Sequence, residues 1–193
     1  NITIGQAAQT VTFPAQTPAS QTFVSGGTFP INPAATGGAS GNPVTYTSTT
    51  TGVCTVSGTT VTILTAGTCT IAANQAGNTN YAAANQATQN VAIGLAAQPV
   101  AFTSPSPANI VAGSSVTLAA ANSGASSGNP ITYASSTPAV CTVNTATGAV
   151  SALAAGTCTI VASQAGNGSF AAGQASLTFT VAAAPGAEPV QPV

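Results

Sequence analysis

Cys54, Cys69, Cys141 and Cys158 are the side chains of this 193-residue sequence best suited to redox or metal chemistry, and they are spaced as two pairs. Cys69 sits in Gly67-Thr68-Cys69-Thr70-Ile71 and recurs 89 residues on as Cys158, in Gly156-Thr157-Cys158-Thr159-Ile160. Each stretch runs into the same Gln-Ala-Gly-Asn sequence, at residues 75–78 and 164–167. A zinc site would need His or more Cys around each pair, and the chain has no His. A reactive dithiol would need a cationic or helix-terminal setting to lower a thiol pKa, and there is no Lys or Arg. Structural disulfides remain, and with them an oxidising compartment outside the cell. Four cysteines allow three pairings, of which the economical one repeats in both halves: Cys54 with Cys69 and Cys141 with Cys158. Each closed loop should contribute about 3 kcal/mol. Free thiols in a mass spectrum of the undenatured protein would overturn this assignment.

Other chemistry is poorly supplied. The only acidic residue is Glu188, so paired carboxylates for acid–base work and oxygen cages for calcium are missing. A Ser or Thr nucleophile has no base to activate it. The chain is therefore expected not to be an enzyme and to need no cofactor or metal. Without cations it has no phosphate-neutralising patch, which argues against nucleic acid and against anionic membranes. It holds no apolar run of about 20 residues to insert in a bilayer. Tyr46, Tyr81 and Tyr133 could stack on a glycan, but aromatic residues recur at these places in both halves, which favours core or corner packing. Thr60, Thr62, Thr68 and Thr70 could form an ice-binding or sheet-stacking surface, but the ordinary β-propensity of a solvated face is the stronger explanation. Asn1 and Asn167 begin Asn-X-Ser/Thr sequons, a weak signal.

The elements that position the cysteines read as short strands. Cys69 and Ile71 alternate with Thr68 and Thr70, one pair facing a core and the other facing solvent. Residues 53–56 and 59–64 form a hairpin about Ser57-Gly58, so Cys54 can share the core face with Val56. Val11 and Phe13 suggest a first strand interrupted by Pro14 and Pro18 and continued by Phe23 and Val24 before Gly26-Gly27 turns the chain. Ser40-Gly41-Asn42-Pro43 recurs as Ser127-Gly128-Asn129-Pro130, and each copy leads into a Tyr-bearing strand. The hairpin loop of the second repeat, residues 144–148, is two residues longer, which shifts the repeat offset from 87 to 89. Some seven strands per repeat predict an all-β chain of two tandem immunoglobulin-like β-sandwiches. The expected modules are residues 6–94 and 95–182, followed by a Pro-rich tail or linker at 183–193.

Residues 1–13, NITIGQAAQTVTF, match residues 90–102, NVAIGLAAQPVAF, at the 89-residue offset. Asn1, Ile2, Thr3, Ile4 and Gly5 thus resemble the last strand of a preceding module. With no start Met or leader in view, the chain reads as processed, or as a window cut from a longer array. The sharper expectation is that these five residues pair with a neighbouring subunit as an added strand.

The segments SGNPVTYTS, VCTVSG and TVTILTAGTCTIAANQAGNTNYAAA resemble the bacterial Ig-like repeats of surface and secreted proteins, and both halves follow the pattern. The resemblance implies a sandwich with an internal disulfide, used as a spacer, adhesive or polymer module. Related repeats generally carry surface charges, whereas this chain has almost none; an uncharged surface favours self-association. The expectation is an extracellular or cell-surface structural protein, a homopolymer or longer array forming a fibre, filament or adhesin stalk. The alternative is an adhesin module that recognises a glycan or another uncharged surface.

Overall fold

Residues 2–104 and 106–186 are described in the computed structural model of the chain. Asn1, Glu188 and the tail beyond residue 186 lie outside the described residues. The chain divides into two units, Asn1–Ala96 and Ala97–Val193.

In the first unit the alternation of small apolar residues with Thr and Ser produces seven strands. These are β1 (Ser20–Thr22), β2 (Thr28–Pro30), β3 (Val44–Ser48), β4 (Cys54–Ser57), β5 (Thr60–Ile63), β6 (Gly67–Gln75) and β7 (Ala87–Gly94). One sheet has the order β1-β7-β6-β3 and the other β2-β5-β4. β1 runs parallel to β7, while β6 runs antiparallel to both its neighbours, β7 and β3. The inward residues Phe29, Val61, Ile63, Ile71, Ala73, Val91 and Ile93 are buried, as period-two patterning requires.

The second unit repeats this plan. It contains β8 (Val100–Phe102), β9 (Ile110–Val111), β10 (Ser115–Thr117), β11 (Ala120–Asn122), β12 (Ile131–Ser135), β13 (Cys141–Val143), β14 (Ala149–Ala152), β15 (Gly156–Gln164) and β16 (Gly173–Ala182). β12-β15-β16-β9 form one sheet, with β9 parallel to β16, and β10-β14-β13 form the other. β8 and β11 add a two-stranded ribbon. Leu118, Val150, Ile160, Phe179 and Val181 anchor its core. The molecule is all-β, two tandem immunoglobulin-like sandwiches with one internal disulfide each.

Two local expectations are corrected. Val11 and Phe13 are buried but belong to no ladder; isolated bridges, Thr10 to Asn85 and Thr12 to Thr36, and the Gln89 amide donating to the Phe13 carbonyl tie this stretch down. Pro14, which has no N–H to donate, follows at once. Val24 does not extend a strand either, because its carbonyl accepts from Gly27 N–H in the turn where Gly26 adopts φ of 67°. Residues 2–5 lie outside any strand of the chain.

Candidate functional site

Each disulfide joins the two sheets of its unit. Cys54 on β4 meets Cys69 on β6 with Cα atoms 5.6 Å apart, and Cys141 on β13 meets Cys158 on β15 at 5.8 Å. All four cysteines are fully buried, so the bond sits where it ties the layers together rather than where a thiol could react. Around each bridge the same hydroxyls recur. Ser48 and Thr50 lie 3.3 Å and 3.8 Å from Cys54 Sγ; Ser135 and Thr137 lie 3.5 Å from Cys141 Sγ. The Thr50 hydroxyl also accepts from Thr70 N–H, and Thr137 from Thr159 N–H, linking the staple to its own strand.

A second repeated device is made of buried amides. Gln9 donates to the carbonyls of Ala76 and Ala82 and accepts from Ser40 N–H. Its counterpart Gln98 donates to Gln164 and Ala165 and accepts from Ser127 N–H. Gln75, at the end of β6, accepts from Gly38 N–H and donates to the Asn42 carbonyl; Gln164 donates to the Asn129 carbonyl. Asn42 and Asn129 each reach back to the carbonyls of the Gln-Ala-Gly-Asn loop. A Cβ on Gly77 or Gly166 would collide with the carbonyl of Tyr81 or Phe170, which explains the glycine in that loop. These clasps satisfy backbone groups of the loops with neutral side-chain amides. Sequence reasoning passed over them, although the recurrence of Gln9 as Gln98 and Gln75 as Gln164 was a usable signal.

The tyrosines divide. Tyr133 is buried, and its hydroxyl accepts from Ala120 N–H. Tyr46 makes the matching bond from Ala35 N–H and packs against Phe13 with ring centroids 5.6 Å apart, yet it stays half-buried. The hairpin loops cause the difference. In the second unit the longer loop lies on Tyr133, whose N–H donates to the Thr145 carbonyl at 2.9 Å, and a Cβ on Gly148 would press on the Tyr133 ring. In the first unit the short Ser57-Gly58 turn stops short. That leaves a groove of about 250 Å³ lined by Val44, Thr45, Tyr46, Gly58 and Thr59. Tyr81 stays in the corner turn that Asn78 caps, beside a cleft lined by Ile4, Gly5, Ala7, Thr79 and Asn80.

The threonines form no single array: Thr60 and Thr62 lie on β5, whereas Thr68 and Thr70 lie on β6 of the opposite sheet. Asn167 is exposed, but its amide is engaged, donating to Ser127 and accepting from Ser169 and Phe170 N–H. Ile2 and Ile4 are 94% and 91% exposed. Their repeat counterparts Val91 and Ile93 are 0% and 4% exposed in β7. Among the described residues no group of three His, Cys, Asp or Glu comes together to hold a metal ion, and no helix is long and apolar enough to cross a membrane.

Comparison with known proteins gives one family match: residues 96–176 fit the bacterial Ig-like domain (group 2). No curated protein sequence matches the chain. Among solved structures, the chain is similar to Drosophila N-cadherin EC1-3 at 12% identity and TM-score 0.33, covering 93% of this chain and 68% of that one. It is similar to surface layer protein SbsC, domains 1-6, at 17% identity and TM-score 0.37, covering 83% of this chain and 24% of that one. A C-terminal fragment of intimin, solved with the intimin-binding domain of its translocated receptor, matches at 17% identity and TM-score 0.33. There the match covers 72% of this chain and 52% of that one. The chain thus spans about a quarter of the SbsC fragment and about half of the intimin fragment.

Proposed function

We propose that the chain is a structural, non-enzymatic subunit of an extracellular or cell-surface fibre, filament or adhesin stalk. It is a tandem of bacterial Ig-like repeats of the Gly-Thr-Cys-Thr-Ile and Gln-Ala-Gly-Asn type. The observation that carries the reading is the near absence of charge, one acidic side chain and no basic one, on a frame in which, among the described residues, every buried side-chain nitrogen and oxygen has a hydrogen-bond partner. Such a surface has little electrostatic repulsion to keep copies apart, so chains associate through apolar and hydrogen-bonding β surfaces. The inter-sheet disulfides fit an oxidising location and a rigid, durable module.

The test is sedimentation of the 193-residue chain over a concentration series in low salt and in 1 M NaCl. Mass that rises with concentration equally in both salts supports the reading. Assemblies that dissolve in salt, or a monomer throughout, contradict it.

A second reading, an adhesin module for a glycan or another uncharged surface, draws on the half-buried Tyr46 ring at the edge of its groove. Binding of neutral oligosaccharides that is lost in Tyr46→Ala, with the fold intact, would favour it over self-association.

A further inference from the structure

The two units differ at one place that matters for association, the free edge of the four-stranded sheet. β3 and β12 are the edge strands, and in each the residues whose N–H groups bond the neighbouring strand alternate with residues whose N–H groups point outward. Thr49 and Ser136 donate inward, to Thr70 and Thr159, which places Tyr46 and Tyr133 in the outward set. Tyr133 N–H is capped by Thr145 of the longer hairpin loop. Among the described residues nothing caps Tyr46 N–H, and beside it lies the groove between β3 and Gly58-Thr59. Proteins usually guard such edges with a charge, a bulge or a covering loop. The second unit has the loop; the first has none of these at Tyr46.

We infer that the open edge of β3 in the first unit accepts the extended segment Ile2, Thr3, Ile4 and Gly5 of a second copy, adding a strand to the sheet. This rests on the self-associating structural role proposed above and names its contact. The segment has the sequence of a closing strand, two apolar side chains on one face, both almost fully exposed in their own chain. Gln6 and Ala7 hold its base at the corner loop, through Gln6 to the Asn78 carbonyl and Ala7 N–H to the Asn80 carbonyl. On β3 the half-buried row is Val44, Tyr46 and Ser48, so Ile2 and Ile4 would continue that row over the groove while the backbone pairs with Tyr46. Charge complementarity is of the neutral kind: neither β3 nor residues 2–5 carry an Asp, Glu, Lys, Arg or His whose charge would have to be desolvated. Donor and acceptor are different surfaces of one chain, so the contact is heterologous and propagates head to tail, as a filament needs. A ladder of about four residues buries less than the roughly 1,200–2,000 Å² of a standard interface, so single contacts are weak and are reinforced only by repetition.

The experiment uses the full chain and two variants, with mass measured by sedimentation. One replaces residues 57–59 by the five-residue loop 144–148, covering the edge; the other is Ile2→Asp with Ile4→Asp, disabling the donor. Native chain is expected to associate at high concentration, each variant alone to stay monomeric, and their equimolar mixture to form a one-to-one complex, since one retains the donor and the other the acceptor. If both variants associate like the native chain, this contact is wrong while the structural reading stands. If the native chain is monomeric throughout, both fall. Should the loop replacement misfold, a peptide of residues 1–5 titrated into the labelled Ile2→Asp, Ile4→Asp chain provides the second measurement. A shift of the Tyr46 amide but not the Tyr133 amide supports the contact, and an unmoved Tyr46 amide overturns it.

Discussion

Gln98 shows how single residues hold an uncharged protein together. Its amide bonds two carbonyls and one N–H inside the second unit; the Ala165 carbonyl keeps Ser127 and Asn129 as donors, so truncation takes the side-chain partner from two backbone groups, the Gln164 carbonyl and Ser127 N–H. Each such loss costs about 1–3 kcal/mol before relaxation and water entry. Gln98→Ala is therefore expected to destabilise the second unit by about 3 kcal/mol in urea unfolding, whereas Gln174→Ala, on the exposed face of β16, should change it by less than about 0.5 kcal/mol. Removing one bridge by Cys141→Ser with Cys158→Ser should cost a similar amount, about 3 kcal/mol, by loss of the 17-residue closure. The cysteines were readable from sequence because cysteine count and repetition constrain their pairing. The glutamines were not, because a Gln is ordinarily a surface residue and only its partners, far away in sequence, make it a core one.

At the level of elements, β6 and β15 are the best protected strands, each paired on both sides and carrying the staple. Their alternation announced them, as it did the hairpins that deliver Cys54 and Cys141. The start of each unit was harder to read, since Val11 and Phe13 bury without a ladder and β1 pairs parallel to the distant β7, a contact with no local signature. The hairpin loops carry the difference on which the proposed contact rests: two extra residues place a carbonyl over Tyr133 that Tyr46 lacks. In the donor-disabled chain, the Tyr46 amide is expected to exchange at least about fivefold faster than the Tyr133 amide, the difference expected of a bond worth about 1 kcal/mol. Equal protection of the two would mean that the first unit's edge is covered after all.

For the whole molecule, stability should be nearly blind to pH and salt. A pH profile requires groups that bind protons differently in the folded and unfolded chain, and this one has a single side-chain carboxyl and no His, Lys or Arg. Its thermal midpoint is expected to move by less than about 3 °C between pH 4.5 and 8.5 and between low salt and 1 M NaCl, as scanning calorimetry can check. Trypsin should leave it uncut, having no Lys or Arg to cleave after. The two-unit architecture was readable because the chain repeats itself. The proposed association was only partly so, because the open edge on which it rests depends on how far a loop reaches in space.

A fibre or stalk subunit must bear tension, and the disulfides should set how far each unit can yield. Single-molecule stretching of the full chain tests this most directly. Two discrete unfolding events are expected, and reductant should lengthen each by about 5–6 nm as the 15- and 17-residue loops are released, at about 3.5 Å per residue. A chain that extends without discrete events, or whose events do not lengthen on reduction, would contradict the account of two stapled sandwiches built to carry force.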